Sequence, residues 1–279
     1  MISLKFYGVR GSYPVVGDQF LRFGGDTSCC VIREAHGDQL GPPIVFDLGS
    51  GAIALGRDLV TEGVQTVTAF LTHLHWDHMQ GLPFFAPLDV AGTHVEVVVP
   101  AEYGDVEEVV IKSLSPPLFP VSPNQRPGQL TISPSRTIRH FEDPFCSVTA
   151  LSIPHTNPTV GLRLDTERSS IAFVTDHQIP KDGRSIHENV AQLCDGVDLL
   201  IHDAQFVASD LVAKGSWGHA TAEYALHVAA LTGAKRLALY HHDPSRTDRE
   251  LDVMMENLAR LCPSVGLMAA RAGMEILLP

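Results

Sequence analysis

The sequence predicts an α/β fold, because apolar segments of strand length alternate along the chain with segments of helical periodicity. Residues 67–71 and 170–175 are largely apolar runs of the kind that form buried strands. Helical patterns occur near residues 51–61, 102–112, 184–194, 220–232 and 247–261. The chain has 279 residues, of which 44% are hydrophobic, so it can bury a large core as one domain or as two closely packed halves.

The first two strands are predicted at residues 2–8 and near 27–33, and the loop between them is dense in turn-forming residues. Arg10 and Arg22 lie in this loop. They are interpreted either as part of ordinary turn structure or as side chains at the mouth of a site, where they would face an anion. The sequence leaves both interpretations open.

The next strand, residues 44–46, ends at Asp47 and precedes the helix near 51–61. Asp47 has two interpretations: a carboxylate that orients a metal-binding histidine, or a residue of a turn or helix cap. Further along the chain, Phe84 and Phe85 are predicted to be core residues rather than a platform for a substrate.

A dense group of metal-binding side chains follows the strand at residues 67–71. Residues 72–78 read Thr-His-Leu-His-Trp-Asp-His, so His73, His75, Asp77 and His78 can converge once the strand gives way to a loop. Imidazole suits zinc and similar metals, and the carboxylate allows a second ion to share the site. We interpret the pattern as a metal-binding motif rather than as a histidine-rich surface loop.

The middle of the chain contains a predicted strand at residues 93–99, the helix at 102–112 and then a Pro-rich stretch, residues 113–135. Six prolines in this stretch predict that it lacks regular structure. A loop of this length inside a compact domain is often a lid or a binding loop; the alternative is a crossover without function. We treat residues 1–279 as one domain of two halves with this stretch between them.

Strand-like segments in the second half also end in His or Asp. Residues 146–153 lead to His155, residues 170–175 lead to Asp176, and residues 236–240 lead to His241 and His242. Sheets of α/β proteins place ligand sites at the carboxyl ends of their strands. The segments therefore predict one shared cluster of side chains together with the motif at residues 72–78.

Composition narrows the classes of function. Five cysteines without CxxC spacing argue against a disulfide framework and favour the cytoplasm. The first residues are typical of a strand rather than a signal peptide, and no apolar run approaches the length of a membrane span. A net charge of −12 disfavours a sequence-independent grip on long nucleic acid. A metal centre can nevertheless attract a small anionic substrate.

The metal-binding pattern resembles that of a known family. His73-x-His75-x-Asp77-His78, followed by His155, Asp176 and His241, is similar to the ligand series of the metallo-β-lactamase superfamily, and most similar to its ribonuclease Z-like phosphodiesterase branch. The resemblance covers nearly the whole chain. It implies an αββα sandwich, in which two mixed β-sheets pack face to face with helices outside, and a dinuclear metal site along one edge.

The resemblance also implies which residue holds which ion. It assigns His73, His75 and His155 to one metal, Asp77, His78 and His241 to the other, and Asp176 to a bridge between them. His242 is an alternative to His241. This set of ligands favours two zinc ions, and manganese and iron are alternatives.

Two further segments resemble the ribonuclease Z-like branch. Residues 200–206 contain an acidic residue, Asp203, and residues 218–221 contain a histidine, His219, at the start of a helix. In that branch the histidine, oriented by the acidic residue, assists the leaving group, so the resemblance implies a catalytic dyad; the alternative for His219 is a helix-terminal residue. Asp77 is a further catalytic candidate, as acceptor of a proton from water. No role is predicted for the remaining histidines His177, His187, His202 and His227.

The sequence departs from ribonuclease Z in one segment. It lacks a basic Gly/Pro-rich arm of the kind that grips transfer RNA, and residues 113–135 contain Arg126 as their only cation. We therefore predict a metal-dependent hydrolase of a small phosphodiester, such as a cyclic nucleotide or cyclic phosphate. The alternatives are hydrolysis of a thioester or lactam, an iron-dependent oxidoreductase and a non-catalytic binding module. A homodimer is expected by analogy with relatives.

Overall fold

The computed structural model describes residues 1–37, 39–135, 141–142, 145–261 and 265–279. Its strands, in chain order, are β1 (Ile2–Gly8), β2 (Cys29–His36), β3 (Gln39–Leu40), β4 (Ile44–Phe46), β5 (Thr66–Phe70), β6 (His94–Pro100), β7 (Gln129–Ser135), β8 (Phe141–Glu142), β9 (Ser147–Ser152), β10 (Val160–Asp165), β11 (Ser170–Val174), β12 (Leu199–Asp203), β13 (Arg236–Tyr240), β14 (Gly266–Ala269) and β15 (Glu275–Leu278).

The helices lie between these strands. In chain order they are α1 (Ala52–Thr61), α2 (Trp76–Met79), α3 (Val106–Ser113), α4 (Glu188–Cys194), α5 (Leu211–Lys214), α6 (Ala222–Thr232) and α7 (Asp248–Ala259). Short 3-10 turns occur at Asp18–Phe20, Leu82–Phe84, Ala86–Asp89, Ala101–Tyr103, Pro123–Gln125 and Ala208–Asp210. The two longest of these helices, α6 and α7, begin at side-chain caps: Thr221 accepts from the backbone N–H of Tyr224, and Thr247 accepts from that of Glu250. The α6 helix ends at Gly233, which has a left-handed φ of 71°.

Both sheets are mixed, and both have their parallel strands on one side. The first sheet has the order β15-β1-β2-β4-β5-β6-β7, and strands β4 to β7 are parallel. The second sheet has the order β14-β13-β12-β11-β10-β9-β8, and strands β11 to β14 are parallel. Because β15 pairs with β1, the end of the chain returns to the first sheet. Parallel neighbours bring their carboxyl ends to one edge of each sheet.

Three apolar clusters separate the layers. The central cluster joins β1, β2 and β4 of the first sheet to β9–β13 of the second, through residues such as Phe46 and Phe173, whose ring centroids are 5.4 Å apart. A second cluster packs α4, α6 and α7 on the outside of the second sheet. A third packs α1 and α3 on the outside of the first. Helix, sheet, sheet and helix thus form four layers, which confirms the predicted αββα sandwich.

The structure corrects two predictions and sharpens another. The Pro-rich stretch is not wholly irregular, because Gln129–Ser135 forms β7 and pairs in parallel with β6. Phe84 is 56% exposed, whereas Phe85 is buried as predicted. Residues 102–112 contain a 3-10 turn and then α3 rather than one helix, since Gly104 interrupts them with φ 79°. Among the described residues, no helix is long and apolar enough to cross a membrane.

Candidate metal centre

Three strands end in a residue that has a left-handed backbone. Asp47 follows β4 with φ 60°, Asp176 lies just after β11 with φ 52°, and His241 follows β13 with φ 57°. Such values are uncommon outside glycine, and Asp and His tolerate them better than most residues. All three side chains lie in the same buried cluster. The strand ends therefore adopt an unfavourable backbone at the positions that build the site.

The first group of candidate ligands comes from both sheets. His73, His75, His155 and Asp176 each offer an atom, and these atoms all lie within 4.8 Å of one another. Nε2 of His155 is 3.2 Å from Nδ1 of His75. Oδ1 of Asp176 is 3.7 Å from Nε2 of His73 and 3.8 Å from Nε2 of His155. The arrangement leaves room at its centre for one cation.

The second group lies on the other side of Asp176. Asp77, His78 and His241 also offer atoms within 4.8 Å of one another. Nε2 of His241 is 3.2 Å from both Oδ2 of Asp77 and Oδ2 of Asp176. Nε2 of His78 is 3.1 Å from the same Asp176 oxygen. Asp176 therefore turns one carboxylate oxygen towards each group, as a bridging ligand would.

Hydrogen bonds fix the orientation of the histidine rings. Nδ1 of His78 donates to Oδ2 of Asp47 at 2.7 Å, and Nδ1 of His155 donates to the carbonyl oxygen of Gly218 at 2.8 Å. Nδ1 of His73 lies 3.1 Å from the hydroxyl of Thr72, which itself donates to Asp47. In a neutral imidazole the other nitrogen is then an acceptor. Nε2 of all three rings presents a lone pair to the cluster.

A metal ion fits this set of donors. Nε2 of His73 is buried and has no hydrogen-bond partner in the described part of the chain, and Nε2 atoms of His78 and His241 face each other at 3.2 Å. Lone pairs that converge without protons between them are satisfied by a cation. Five imidazoles and two carboxylates are ligands that suit zinc and related divalent metals.

The electrostatics of the cluster also favour bound positive charge. Burial opposes protonation of His78, yet the carboxylates of Asp176, Asp77 and Asp47 raise its pKa well above the ordinary value. For Asp77, burial acts in the opposite direction, but His78 and His241 hold its pKa well below the ordinary range. The carboxylates thus favour positive charge in the cluster, and a bound cation can supply it in place of a proton on Nε2 of His78.

Asp47 has the orienting role that was one of its two interpretations. Besides His78, its carboxylate accepts from the hydroxyl of Ser28 at 2.8 Å and from the backbone N–H of Thr72 at 2.8 Å. It does not cap α1, whose N-cap is Gly51. Ser28 and Thr72 were missed by the sequence analysis, because hydroxyl residues carry no spacing signal of their own.

The structure brings His219 and Asp203 together. Nδ1 of His219 is 2.9 Å from Oδ2 of Asp203, and both side chains are buried. Burial lowers the pKa of His219, but the charge and hydrogen bond of Asp203 outweigh it and raise that pKa to about 9. Nδ1 of His219 is also 3.8 Å from Oδ1 of Asp176. The imidazole is therefore a proton donor beside the candidate metal ligands.

Two glycines make the close packing of the cluster possible. Gly218 has φ 95°, and a Cβ at this position would lie 2.3 Å from Nδ1 of His155. A Cβ on Gly11 would lie 2.5 Å from the ring of His241. Both glycines are thus required where the backbone approaches a candidate ligand.

The structure separates His241 from its neighbour. His241 joins the cluster, whereas Nε2 of His242 donates to the carbonyl oxygen of Ala270 at 2.8 Å. Burial lowers the pKa of His242 to about 3, so this ring is neutral. Of the two alternatives from the sequence, only His241 has the geometry of a ligand.

The arginines of the first loop do not face the site. Arg10 is fully buried and donates to the carbonyl oxygens of Gly24, Asp243 and Arg246, so it holds loops together. Arg22 is paired with Asp252 on the surface. Ordinary structural roles therefore explain both residues.

Two of the histidines without a predicted role make local structural contacts: the ring of His187 caps α4, and His227 donates to the carbonyl oxygen of Arg184. His177 and His202 are buried and in contact with each other. A neighbour that the sequence did not reveal is Asn157, whose side-chain Nδ2 is 2.6 Å from Nε2 of His75. It lies two residues after His155, but a lone asparagine in a turn gives no signal.

The chain resembles known proteins in both sequence and fold. Residues 52–242 match the model of the β-lactamase superfamily domain. A ribonuclease Z of Natronomonas pharaonis is 26% identical over 299 residues, which cover 90% of this chain and 92% of that protein.

Two solved structures superpose over nearly the whole chain. The metallo-β-lactamase fold protein YhfI from Bacillus subtilis matches with a TM-score of 0.72 and 17% identity, covering 99% of this chain and 98% of that one. A diphosphatase from the PhnP family matches with a TM-score of 0.70 and 17% identity, covering 100% and 98%. The chain belongs to the metallo-β-lactamase superfamily, on its ribonuclease Z-like branch, and is a metal-dependent hydrolase.

Proposed function

We propose that this protein is a phosphodiesterase that binds two divalent metal ions and cleaves a small phosphodiester, such as a cyclic nucleotide or another cyclic phosphate. The observation that carries the proposal is the buried pair of His219 and Asp203 beside the metal ligands. A phosphodiester releases an alkoxide, which needs a proton, and a protonated imidazole supplies one. A thioester releases a thiolate, which leaves without a proton, so its hydrolysis does not require this acid.

In this proposal His73, His75 and His155 would hold one ion, Asp77, His78 and His241 would hold the other, and Asp176, which has a carboxylate oxygen near each group, would be shared between them. Zinc suits the five neutral imidazoles best. The ions would supply Lewis acidity towards the phosphoryl oxygens and lower the pKa of water at the site. Asp47 keeps His78 in the required tautomer through the bond to Nδ1.

The catalytic side chains have different roles in this proposal. His219 is held through Nδ1 by Asp203, so its Nε2–H is the group that donates to the leaving oxygen. Asp77 accepts the backbone N–H of Ser12 at 2.6 Å and faces His241. Because the pKa of Asp77 is held well below its ordinary range, Asp77 is a weak base, and its main part is to hold the metal and orient the attacking water.

A small substrate is supported by the charges around the site. Arg126, the cation of residues 113–135, is engaged by Asp89 and by the carbonyl oxygen of Pro83. A net charge of −12 disfavours a sequence-independent grip on long RNA. We propose that residues 1–279 act as one domain, and that residues 113–135 are a structural connection at its surface rather than an RNA-binding arm.

Turnover assays with metal-free and reloaded protein test this function. The purified protein is stripped with a chelator, reloaded with zinc or manganese, and offered bis(p-nitrophenyl) phosphate and 2′,3′- and 3′,5′-cyclic nucleotides. We expect metal-dependent cleavage of at least one cyclic nucleotide. Protein that carries two metals and cleaves none of these esters would refute the phosphodiesterase and favour carbonyl or redox chemistry.

A further inference from the structure

A large cavity opens beside the candidate metal centre. Its volume is about 730 Å³, which is within the range of small-molecule sites. His155, a candidate ligand, forms part of its wall, and so do apolar side chains such as Ile179, Ile186 and Leu211. A group bound in the cavity would therefore be next to a phosphate held at the metals.

The wall of this cavity is firmly connected to the dyad. Gln178 donates through Nε2 to the carbonyl oxygens of Ile179 and Gly215, and its Oε1 accepts from the backbone N–H of Gly218. The backbone N–H of Ile179 donates to the carbonyl oxygen of His219. Both N–H groups of the Gln178 amide are thus used by the protein, so this side chain has no donor left for a ligand.

His177 is different, because one of its nitrogens has no partner. Its side chain is 99% buried and lines the cavity. Nδ1 lies 3.2 Å from Nε2 of His202, and Nδ1 of His202 lies 2.8 Å from the carbonyl oxygen of Asp203. Within the described residues, no hydrogen bond reaches Nε2 of His177.

The pair of rings determines which nitrogens carry protons. A carbonyl oxygen only accepts, so Nδ1 of His202 must donate to it, and Nε2 of a neutral His202 is then an acceptor. Nδ1 of His177 must donate to that acceptor. Nε2 of His177 is consequently an unprotonated acceptor at the cavity wall. An acceptor that faces the cavity without a protein partner favours a ligand that brings a donor.

The charges around the cavity favour a neutral ring next to the phosphate. Lys181 is the one charged side chain among the described residues that form the wall, and it is exposed. The remaining wall consists of apolar, hydroxyl, amide and imidazole groups. A mostly apolar wall with a few polar groups suits a heterocycle that carries one or two hydrogen-bonding groups.

From these contacts we infer that the cavity binds an amino-substituted nucleobase of the substrate, and that Nε2 of His177 accepts a hydrogen bond from its amino group. The substrate class is then a nucleotide whose base carries an exocyclic amine. This inference rests on the proposed phosphodiesterase function only for the position of the phosphate; the binding of the base is separate from turnover.

Two ligands that differ in one donor test the inference. Adenosine and purine riboside, which lacks the amino group, are titrated into the metal-loaded protein by calorimetry, and turnover is compared for their 3′,5′-cyclic phosphates. We expect adenosine to bind about tenfold more tightly than purine riboside, because without the amino group Nε2 of His177 stays unpaired. In His177→Phe, which keeps a ring but has no nitrogen, the ratio should fall to about one, as expected for a lost hydrogen bond.

A second variant tests the cavity without touching His177. Ser216 is exposed at the cavity wall, so Ser216→Trp should obstruct the cavity and weaken adenosine binding about tenfold, while the metal content stays the same. The matched control is Val212→Trp, an exposed position outside the cavity wall.

The outcomes separate the two proposals. Equal binding of adenosine and purine riboside by the wild-type protein, or undiminished binding by Ser216→Trp, overturns the base pocket even if phosphodiesters are cleaved. Selective binding of adenosine by a protein that cleaves no phosphodiester would support the pocket and refute the proposed function.

Discussion

Nδ1 of His219 donates a hydrogen bond to Oδ2 of Asp203 at 2.9 Å, and this pair is buried against the ligand cluster. Asp203 is the last residue of β12, and His219 lies just before α6, so the sheet holds the carboxylate and a loop presents the imidazole. Oδ2 of Asp203 also accepts from the backbone N–H of His177. These hydrogen bonds fix the orientation of the Asp203 carboxylate and, through it, that of the His219 ring.

Removing the imidazole should separate catalysis from metal binding. We expect His219→Ala to lower kcat by about 10²- to 10⁴-fold, the usual contribution of a general acid, and to keep two metals by elemental analysis. Asp176→Ala, which removes the oxygens between the two groups, should lose metal. A fully active His219→Ala protein would contradict the dyad.

The dyad also predicts a pH dependence. The pKa of His219 lies at about 9, above the ordinary 6.5, so the donor is protonated at neutral pH and is lost as pH rises through 9. The stability contributed by the pair follows the same sign: it is complete below 6.5 and disappears as pH rises through 9. The value of kcat/KM should therefore fall as the pH rises through about 9.

Asp203→Asn provides the test of that assignment. The substitution removes the charge that raises the pKa of His219 but leaves the burial that lowers it. The alkaline limb of the profile should move to lower pH in this variant. If the alkaline limb did not move, the group that titrates there would be a residue other than His219.

Asp47 is predicted to act through His78. In Asp47→Asn the amide can keep the left-handed backbone at this position, but the carboxylate that receives Nδ1–H of His78 is gone. We expect metal affinity to fall by about 10- to 100-fold, as for other partners of metal-ligating histidines. Competition with a chromogenic chelator measures it. Asp58→Asn, at a surface carboxylate paired with Lys5, is the control and should bind metal normally.

The sequence was sufficient to predict that the candidate ligands lie close together, because these residues follow strands in a recognisable spacing. His73, His75, Asp77 and His78 come from one loop, and the parallel order of β11, β12 and β13 brings Asp176, Asp203 and His241 to the same edge. The carboxyl-end rule for α/β sheets therefore predicted these neighbours.

Residues that act through geometry alone were not predictable. The amide of Asn157 and the pair of His177 and His202 show their contacts only once β9, β11 and β12 are assembled. The exposure of Phe84 was likewise missed, because the side chain packs on Phe119, with ring centroids 5.5 Å apart, at the surface rather than in the core. The local sequence pattern does not show which face of a short 3-10 turn is covered by the rest of the protein.

Asn157 is predicted to orient His75. Its side-chain amide is the group next to Nε2 of His75, while Nδ1 of that ring faces His155. Amide nitrogen and oxygen exchange by a rotation, so the oxygen can accept Nε2–H. We expect Asn157→Ala to weaken metal binding by about tenfold. Asn257→Ala, at an exposed position of α7, should have no effect on metal titration.

A side chain at position 218 is predicted to displace a candidate metal ligand. A Cβ there would lie 2.3 Å from Nδ1 of His155, and φ is 95°. In Gly218→Ala the ring must move and its hydrogen bond to the carbonyl oxygen of residue 218 must lengthen, so metal content and turnover should both fall. Gly233→Ala is the matched control, because Gly233 has φ 71° but no atom within 4 Å of the added Cβ.

The two variants share the backbone strain and differ in the collision. Left-handed alanine costs about 1 kcal/mol, so both proteins should lose some thermal stability. Only Gly218→Ala should also lose metal, measured by elemental analysis after gel filtration. If Gly218→Ala retained its full metal content, His155 would have to bind with its ring displaced, and the close approach of Gly218 would not be what positions this ligand.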